Sequence, residues 1–396
     1  MRPAIRYARK RLDLTFGDIA RALGCCLCPL PREQAAAAIA ATWRPAATAL
    51  PCLSVRSGFD LYLASVDWPA GSEVLLSAIT IPHLAKLVRW HGYVPVGIDV
   101  DPGTTSVEPA DVAAGCGPRT RAIVFAQLFG SRTDLTALAE VCTERGIALI
   151  DDRAQCYDGV DHDLGPADVA MYSFGTIKTA TCLGGAVLLV ADPTIRARMV
   201  SRQHRYPVQP VWAYAAKVVK AAGLLLATGP ATYGLFTGAL ERLTGDYDRV
   251  IRQVSRGFDD RSLIARIRRR PSAALLTLMS RRLGGYDPHR IHRRRLAGEQ
   301  LAAWLHPRVE HLGGQADGHT HWLFPVVSRE PDALVTAGRA AGFDLTRGSS
   351  TLVTVDPNCA EASRAMRGVV YLPAYHPMPA AALARLAEVV NTVELS

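Results

Sequence analysis

The chain has 396 residues, a formal net charge of +9, 49% apolar and 20% charged residues, and a sequence pI near 9.2. That composition excludes a wholly disordered chain, and the length allows two packed domains with a sizeable core. The basic excess favours anionic partners, but no recognition motif accompanies it, so nucleic-acid binding is not expected.

Residues 1–45 combine an arginine-rich start with an alanine-rich helical stretch, Arg32 to Trp43, and read as a helical extension without an assignable role. No apolar segment with a cleavage site follows the basic N-terminus, so no secretory signal is expected. From about residue 50 short apolar runs alternate with helical patterns. Helices are expected at 61–66, 84–90 and 135–144. Strands are expected at 74–76, 94–98, 121–126, 147–150, 169–173 and 185–190. Strands and helices in this alternation predict an α/β domain over 46–250, with a mostly parallel central sheet covered by helices on both faces. Ligands of such sheets sit beyond the carboxyl ends of the strands, where Asp152 and Ser173 fall.

Between about 205 and 260 the alternation breaks. Ala221 to Leu240 carries no charge over twenty positions, the length of a membrane span, but Pro230 and several glycines interrupt it. A helical hairpin is the leading expectation, with a segment lying on a bilayer second and a true span third. Arg261 to Arg270 reads as a solvated basic helix face. Residues 251–396 read as a smaller C-terminal α+β domain, with a strand at 322–327 and an amphipathic helix at 379–393. The nine cysteines lack paired metal-ligand spacing, so no metal site is expected, and they read as buried thiols of a reducing cytoplasm.

Five local features could carry chemistry together. Ser57-Gly58-Phe59 precedes a helical pattern, where backbone N–H groups can meet an anion. Asp152 closes a buried strand, and a carboxylate there needs a cation or hydrogen-bond donors. Gln155 follows three residues later as a donor. Ser173 and Lys178 bracket a polar turn after the next strand, and Gly184-Gly185 would let the chain pass close to a ligand.

In this order the features resemble the DegT-type (DnrJ/StrS) family of sugar aminotransferases, within the fold-type I pyridoxal phosphate (PLP) enzymes. Gly71-Ser72-Glu73-Val74 with Thr80, Asp99-Val100-Asp101-Pro102, Asp151 to Gln155, Ser173-Phe174 to Lys178, Arg270-Pro271-Ser272 and Leu372-Pro373 with His376-Pro377 are similar to the family's motifs. The resemblance implies PLP as cofactor, with Lys178 as the Schiff-base lysine and proton shuttle. Asp152 would hold the pyridinium, Gln155 would contact the ring hydroxyl, and Ser173 with the backbone near Gly58 and Phe59 would bind the phosphate. It implies a homodimer, an amino-acid donor such as glutamate, and a keto or aldehyde acceptor of nucleotide-sugar type. Ile81 stands where the family stacks an aromatic residue on the ring. Arg153 replaces a small residue, the turn before Gly184-Gly185 is shortened, and Arg268 stands where an asparagine usually reaches the neighbouring subunit's phosphate. These departures, with the apolar insert, leave open an apolar or membrane-held acceptor. A PLP-dependent dehydratase or lyase and a non-catalytic PLP-binding regulator are the other readings. The expected location is cytoplasmic, with 221–240 as the segment that could touch a membrane.

Overall fold

The computed structural model describes residues 5–160, 163–255, 262–348 and 351–396. Met1 to Ala4 and Arg261, which belong to two of the basic stretches noted above, lie outside them. Nine strands occupy the first half of the chain: β1 (Ala49–Cys52), β2 (Glu73–Ser77), β3 (Ile79–Thr80), β4 (Val94–Ile98), β5 (Thr120–Ala126), β6 (Ser131–Arg132), β7 (Ala148–Asp152), β8 (Val169–Ser173) and β9 (Ala186–Val190). Seven of them form one sheet in the order β1-β9-β8-β7-β5-β2-β4. Neighbours from β8 to β4 run parallel, whereas β8–β9 and β9–β1 are antiparallel. The mostly parallel sheet expected from the alternation is therefore present. Edge strand β1 was not foreseen, because four residues containing Pro51 give almost no periodic signal. Proline is tolerated there because the strand has a partner on one side only.

Period-2 alternation divides the sheet's side chains between two faces. Val74, Leu76, Val124, Ile150, Met171 and Leu188 join one core, which α3 (Val55–Leu63) and α4 (Pro82–Trp90) cover. Leu75, Ile123 and Leu149 face the other way, toward α5 (Pro109–Gly115) and α6 (Thr136–Arg145). Farther along that second face, Tyr172, Val187 and Leu189 meet α1 (Phe16–Leu27), α2 (Arg32–Ala40), α8 (Val211–Ala227) and α12 (Ala273–Gly284). Helix α7 (Pro193–His204) follows β9 and buries Met199 in the first core. Helices α1 and α2 are thus a cover for the sheet. Helix α1 was not foreseen, although its Thr15 and Asp18 form a reciprocal capping box.

The apolar stretch divides at Gly229-Pro230. Helix α8 ends at Ala227 and packs on α1 and α12, while α9 (Tyr233–Thr244) packs on α10 (Tyr247–Ser255). No helix among the described residues is long and apolar enough to cross a membrane. Helix α11 (Leu263–Ile267) buries Leu263 and Ile267 in the first core, so the segment expected to open the small domain gives its first helices to the large sheet. A three-stranded antiparallel sheet follows: β10 (Glu310–His311), β12 (Phe324–Val327) and β14 (Val369–Leu372), in the order β10-β12-β14. Helices α13 (His289–Trp304), α14 (Pro331–Ala340) and α16 (Ala380–Leu395) bury Leu301, Leu334, Leu386 and Val390 against it, and α15 (Ala360–Gly368) joins the second core of the large sheet. Two short pairs tie the parts together: β11 (Gly318–His319) on β6, and β13 (Val353–Thr354) on β3. The nine cysteines are all free thiols, and Cys28 is exposed rather than buried.

Gly58 shows how closely α3 lies on the sheet. A Cβ at this position would come within 2.1 Å of Leu188 Cδ1. Gly58→Ala should destabilise the fold by about 1–3 kcal/mol through overpacking. In a double-mutant cycle read by urea unfolding, Leu188→Ala should absorb part of that loss, whereas strictly additive effects would show that the contact is not the cause.

Candidate active site

The site starts from the end of β7. Successive residues point to opposite faces, so Asp151 and Asp152 diverge. Asp151 meets Arg153, whose Nε lies 2.5 Å from Asp151 Oδ2 and whose Nη1 lies 2.6 Å from the Tyr172 hydroxyl oxygen. Arg153 also donates to the carbonyls of Asp163 and Leu164. It is therefore committed to the far face, away from Asp152, and does not crowd the site as its sequence position suggested.

Asp152 turns to the α3 face and is 7% exposed. Its Oδ1 accepts from the Ala154 amide at 3.1 Å, and Oδ2 is left without a hydrogen bond among the described residues. Burial raises its pKa, opposed by that amide and by the charge of Lys178. Lys178 shows the converse: burial lowers the pKa of its amine, opposed by the Asp152 carboxylate. The amine makes no hydrogen bond in the described structure and lies 3.9 Å from the centroid of the Trp322 ring. The two stand as an acid and a base at the carboxyl edge of the sheet, close enough for each to feel the other's charge.

The turn that carries Lys178 is fixed from several sides. Phe174 N donates to Gly185 O, and Lys178 N donates to Gly175 O. Trp322 Nε1 donates to Ile177 O at 2.9 Å, and Arg294 Nη1 reaches Thr179 Oγ1 at 3.1 Å. From the N-terminal segment, Asp13 Oδ2 accepts from the Ala180 amide at 2.7 Å. Gly184 and Gly185 both have positive φ, and a Cβ on Gly185 would lie 2.3 Å from Met279 Sδ. The close approach that needs glycine there is to α12, not to a ligand.

Gln155 Oε1 accepts from the Phe129 amide at 3.0 Å, which leaves its Nε2 as the donor end. Ser173, at the end of β8, carries a hydroxyl without a hydrogen bond among the described residues. Ser57 lies in the first turn of α3, and its amide and hydroxyl both meet Ser54 Oγ, at 3.2 and 2.9 Å. The Gly58 amide is bonded to Ser54 O, and Phe59 is fully buried in the core. Those two therefore serve helix packing, and any anion at this end of α3 meets its first turn. Ile81 is the residue before Pro82 at the start of α4 and packs between the two cores of the sheet.

Arg268 forms a bidentate pair with the buried Asp60 of α3, at 2.9 Å from Nε and 3.0 Å from Nη2. Burial would raise the Asp60 carboxyl, but the hydrogen bonds from His91 and Arg268 hold it below its ordinary value. Arg268 is thus anchored in its own chain, with Nη1 left over.

Six residues of this region were not singled out from the sequence. Arg56, in the first turn of α3, donates from Nε to His83 Nδ1 at 3.1 Å and lies close enough to Asp152 for each to feel the other's charge. The signal for it was its place beside Ser57. Trp322 and Arg294 come from distant sequence and gave none. Three more imidazoles, His311, His319 and His321, gather beside Trp322, with pKa values lowered, mainly by burial, to about 4, 2 and 3. His319 Nδ1 accepts from the His321 amide at 2.8 Å, so the ring proton of neutral His319 sits on Nε2. That tautomer is wrong for a metal at Nε2, and the trio is not assigned as a metal centre.

Residues 33–210, a little under half of the chain, match the sequence model of the DegT/DnrJ/EryC1/StrS aminotransferase family, a span that contains the motifs from Gly71 to Lys178. The chain is 35% identical over 153 residues to the L-glutamine:2-deoxy-scyllo-inosose aminotransferase of Streptomyces kanamyceticus. That match covers 38% of this chain and 36% of the relative, so it spans about a third of the relative's length. The fold is that of solved aminotransferases over nearly the whole chain. It matches TlmJ from Streptoalloteichus hindustanus with a TM-score of 0.69 at 20% identity, over 98% of this chain and 97% of that one. It matches the sugar aminotransferase CalS13 from Micromonospora echinospora with a TM-score of 0.67 at 20% identity, over 99% and 100%. PseC of Helicobacter pylori gives 0.71 at 13% identity, over 98% and 99%.

Asp152 stabilises the charged form of the Lys178 amine. In cofactor-free protein, trapping of an aldehyde probe on Lys178 by borohydride should reach half-maximum below the pH of an ordinary lysine. Asp152→Asn should move that midpoint lower still, and an unchanged or higher midpoint would contradict the coupling.

Proposed function

On the premise that residues 33–210 carry the pattern of the DegT/DnrJ/EryC1/StrS aminotransferase family, we propose that this protein is a PLP-dependent aminotransferase. It takes an amino group from an amino acid, glutamate or glutamine, and delivers it to the carbonyl of a keto sugar or related polyhydroxylated ring. The observation that carries the reading is the desolvated Lys178 amine paired with the buried Asp152 at the carboxyl edge of the sheet.

The residues fit the cofactor. Asp152, a buried residue, has an oxygen without a donor among the described residues, suited to a protonated ring nitrogen. Gln155 Nε2 is oriented as a donor by the Phe129 amide and would meet the ring hydroxyl. The Ser173 hydroxyl and the first turn of α3, where Ser57 and Arg56 lie, would hold the phosphate. Ile81 would line the ring pocket with aliphatic surface. PLP supplies an electron sink that makes the hydrogen on the amino acid's Cα removable. Lys178 would hold the cofactor's aldehyde carbon. Its amine, whose pKa burial lowers, would be freed when the donor's amino group takes its place and would then move that proton from the amino acid's Cα. Trp322 and the Asp13, Arg294 and Gly175 contacts fix the turn so that the amine swings from one position.

The test is spectroscopic. Holoenzyme given glutamate or glutamine should lose the long-wavelength band of the bound aldehyde and gain that of the aminated cofactor, and Lys178→Ala should not. A holoenzyme that binds PLP but responds to no amino donor would instead be a regulator. One that eliminates water from the acceptor without net amino transfer would be a lyase.

A homodimer is part of the proposal. Trp212, Val219 and Leu226 are 75%, 64% and 59% exposed and repeat every seven residues along α8, with exposed Leu235 and Leu243 on α9. Such a stripe suits a second copy of the chain. Arg268 Nη1 would then be available to the neighbouring subunit. By light scattering the wild type should be a dimer and Trp212→Ser with Leu226→Ser a monomer. A dimer unaffected by both changes would remove the stripe from the interface, and flotation of the wild type with vesicles would favour the membrane-contact reading and an apolar acceptor.

A further inference from the structure

The N-terminal segment brings a cation to the site that the mechanism above does not use. Lys10 Nζ is buried and has no hydrogen-bond partner among the described residues. It lies 3.4 Å from the centroid of Trp322, the ring that Lys178 Nζ approaches at 3.9 Å. The two amines therefore cannot be farther apart than those two distances together. Arg294 adds a third positive charge. Its Nε and Nη1 are used by Thr320 O and Thr179 Oγ1, while Nη2 is buried without a partner among the described residues.

The carboxylate that offsets these cations, Asp13, is already committed. It takes Arg290 Nη2, the Tyr286 hydroxyl and the Ala180 amide, each at 2.7 Å. Arg9, beside Lys10 in sequence, is likewise held by Asp344 and Asp248. A small cavity of about 40 Å³ opens between Lys10, Arg294, Trp322, Leu323 and Tyr375. A buried ammonium group without an anion is costly, and the ring face of Trp322 offsets only part of that cost. Burial, followed by the charges of Lys178 and Arg294, pushes the Lys10 amine well below its ordinary value, as expected of a cation site awaiting its anion.

We propose that Lys10 and Arg294 form the subsite for the α-carboxylate of the amino-acid donor. The inference rests on the aminotransferase reading of Lys178. Size and distance select this group. The space between Lys10 and Arg294 suits a group of carboxylate size. In an α-amino acid the carboxylate is one bond from the carbon that Lys178 must deprotonate, and Lys10 and Lys178 both approach the Trp322 ring. The carbonyl acceptor, arriving in the second half of the reaction, would meet the same two cations only if it also carried a carboxylate near its carbonyl.

The test compares wild type, Lys10→Met, Lys10→Arg and Arg294→Met. In cofactor-loaded enzyme, Lys10→Met should raise the half-saturating glutamate concentration of the donor half-reaction roughly tenfold or more, with the limiting rate changed less. It should also narrow the preference for glutamate over 4-aminobutyrate, which lacks the α-carboxylate, and Lys10→Arg should restore part of both. In cofactor-free protein, calorimetry with glutarate should give weaker binding to Lys10→Met and Arg294→Met than to wild type. Lys10→Met should melt no lower than wild type without ligand, because it removes a buried amine that has no hydrogen-bond partner among the described residues. Unchanged glutarate binding, or weakened binding of pyrophosphate alone, would overturn the carboxylate assignment. The glutarate readout needs no amino transfer, so it separates failure of this subsite from failure of the aminotransferase reading.

Discussion

Two opposite charges taken out of water together dominate this molecule. Lys178 and Asp152 each pay a desolvation cost, and each lowers the other's. Such a pair persists only where the surrounding structure fixes it. The parallel sheet does this for Asp152, because β7 ends there and the alternation that turns Ile150 into the core turns Asp152 to the same face. Asp151 is sent to the opposite face, where Arg153, itself bonded to the Tyr172 hydroxyl, neutralises it. One strand end thus separates a structural carboxylate from one held beside the lysine.

Lys178 sits on a turn rather than a strand, and a turn has no ladder to hold it. Its constraints come from three distant parts of the chain: Asp13 before α1, Arg294 on α13, and Trp322 before β12. The N-terminal segment is bound in its own right by Arg9, whose guanidinium shares the buried Asp344 with Tyr233 and Tyr247. The same carboxylate therefore ties the N-terminus, the helices of the apolar stretch and the small sheet together.

Much of the fold was legible because the physics behind it is local. Apolar runs of strand length, separated by helical periods, specify a covered parallel sheet, and the strands at 94–98, 169–173 and 186–190 fall where that pattern put them. Pro230 broke the uncharged stretch as a proline must, although α8 and α9 pack on different neighbours instead of pairing as a hairpin. The glycines were read less well. Gly185 was expected to let the chain pass close to a ligand, yet Met279 occupies the space its Cβ would need, and Gly58, read as part of an anion-binding turn, is held small by Leu188. A sequence says that a position must be small but not what stands opposite it. Arg153 and Arg268 illustrate the same limit, since their partners Asp151 and Asp60 decide where each guanidinium points.

By itself the sequence determined the order of strands and helices, the strand-end position of Asp152, and the Ser173-to-Lys178 motif with the family resemblance it carries. These depend on spacing along the chain, which is read directly. Only the tertiary structure decided that Lys178 is desolvated, that Trp322 lies against it, and that Lys10 from the first turn of chain stands at the same ring. Those facts depend on which residues, far apart in sequence, exclude water from one another. Burial of that kind is a property of the closed fold and leaves no periodic trace in the chain.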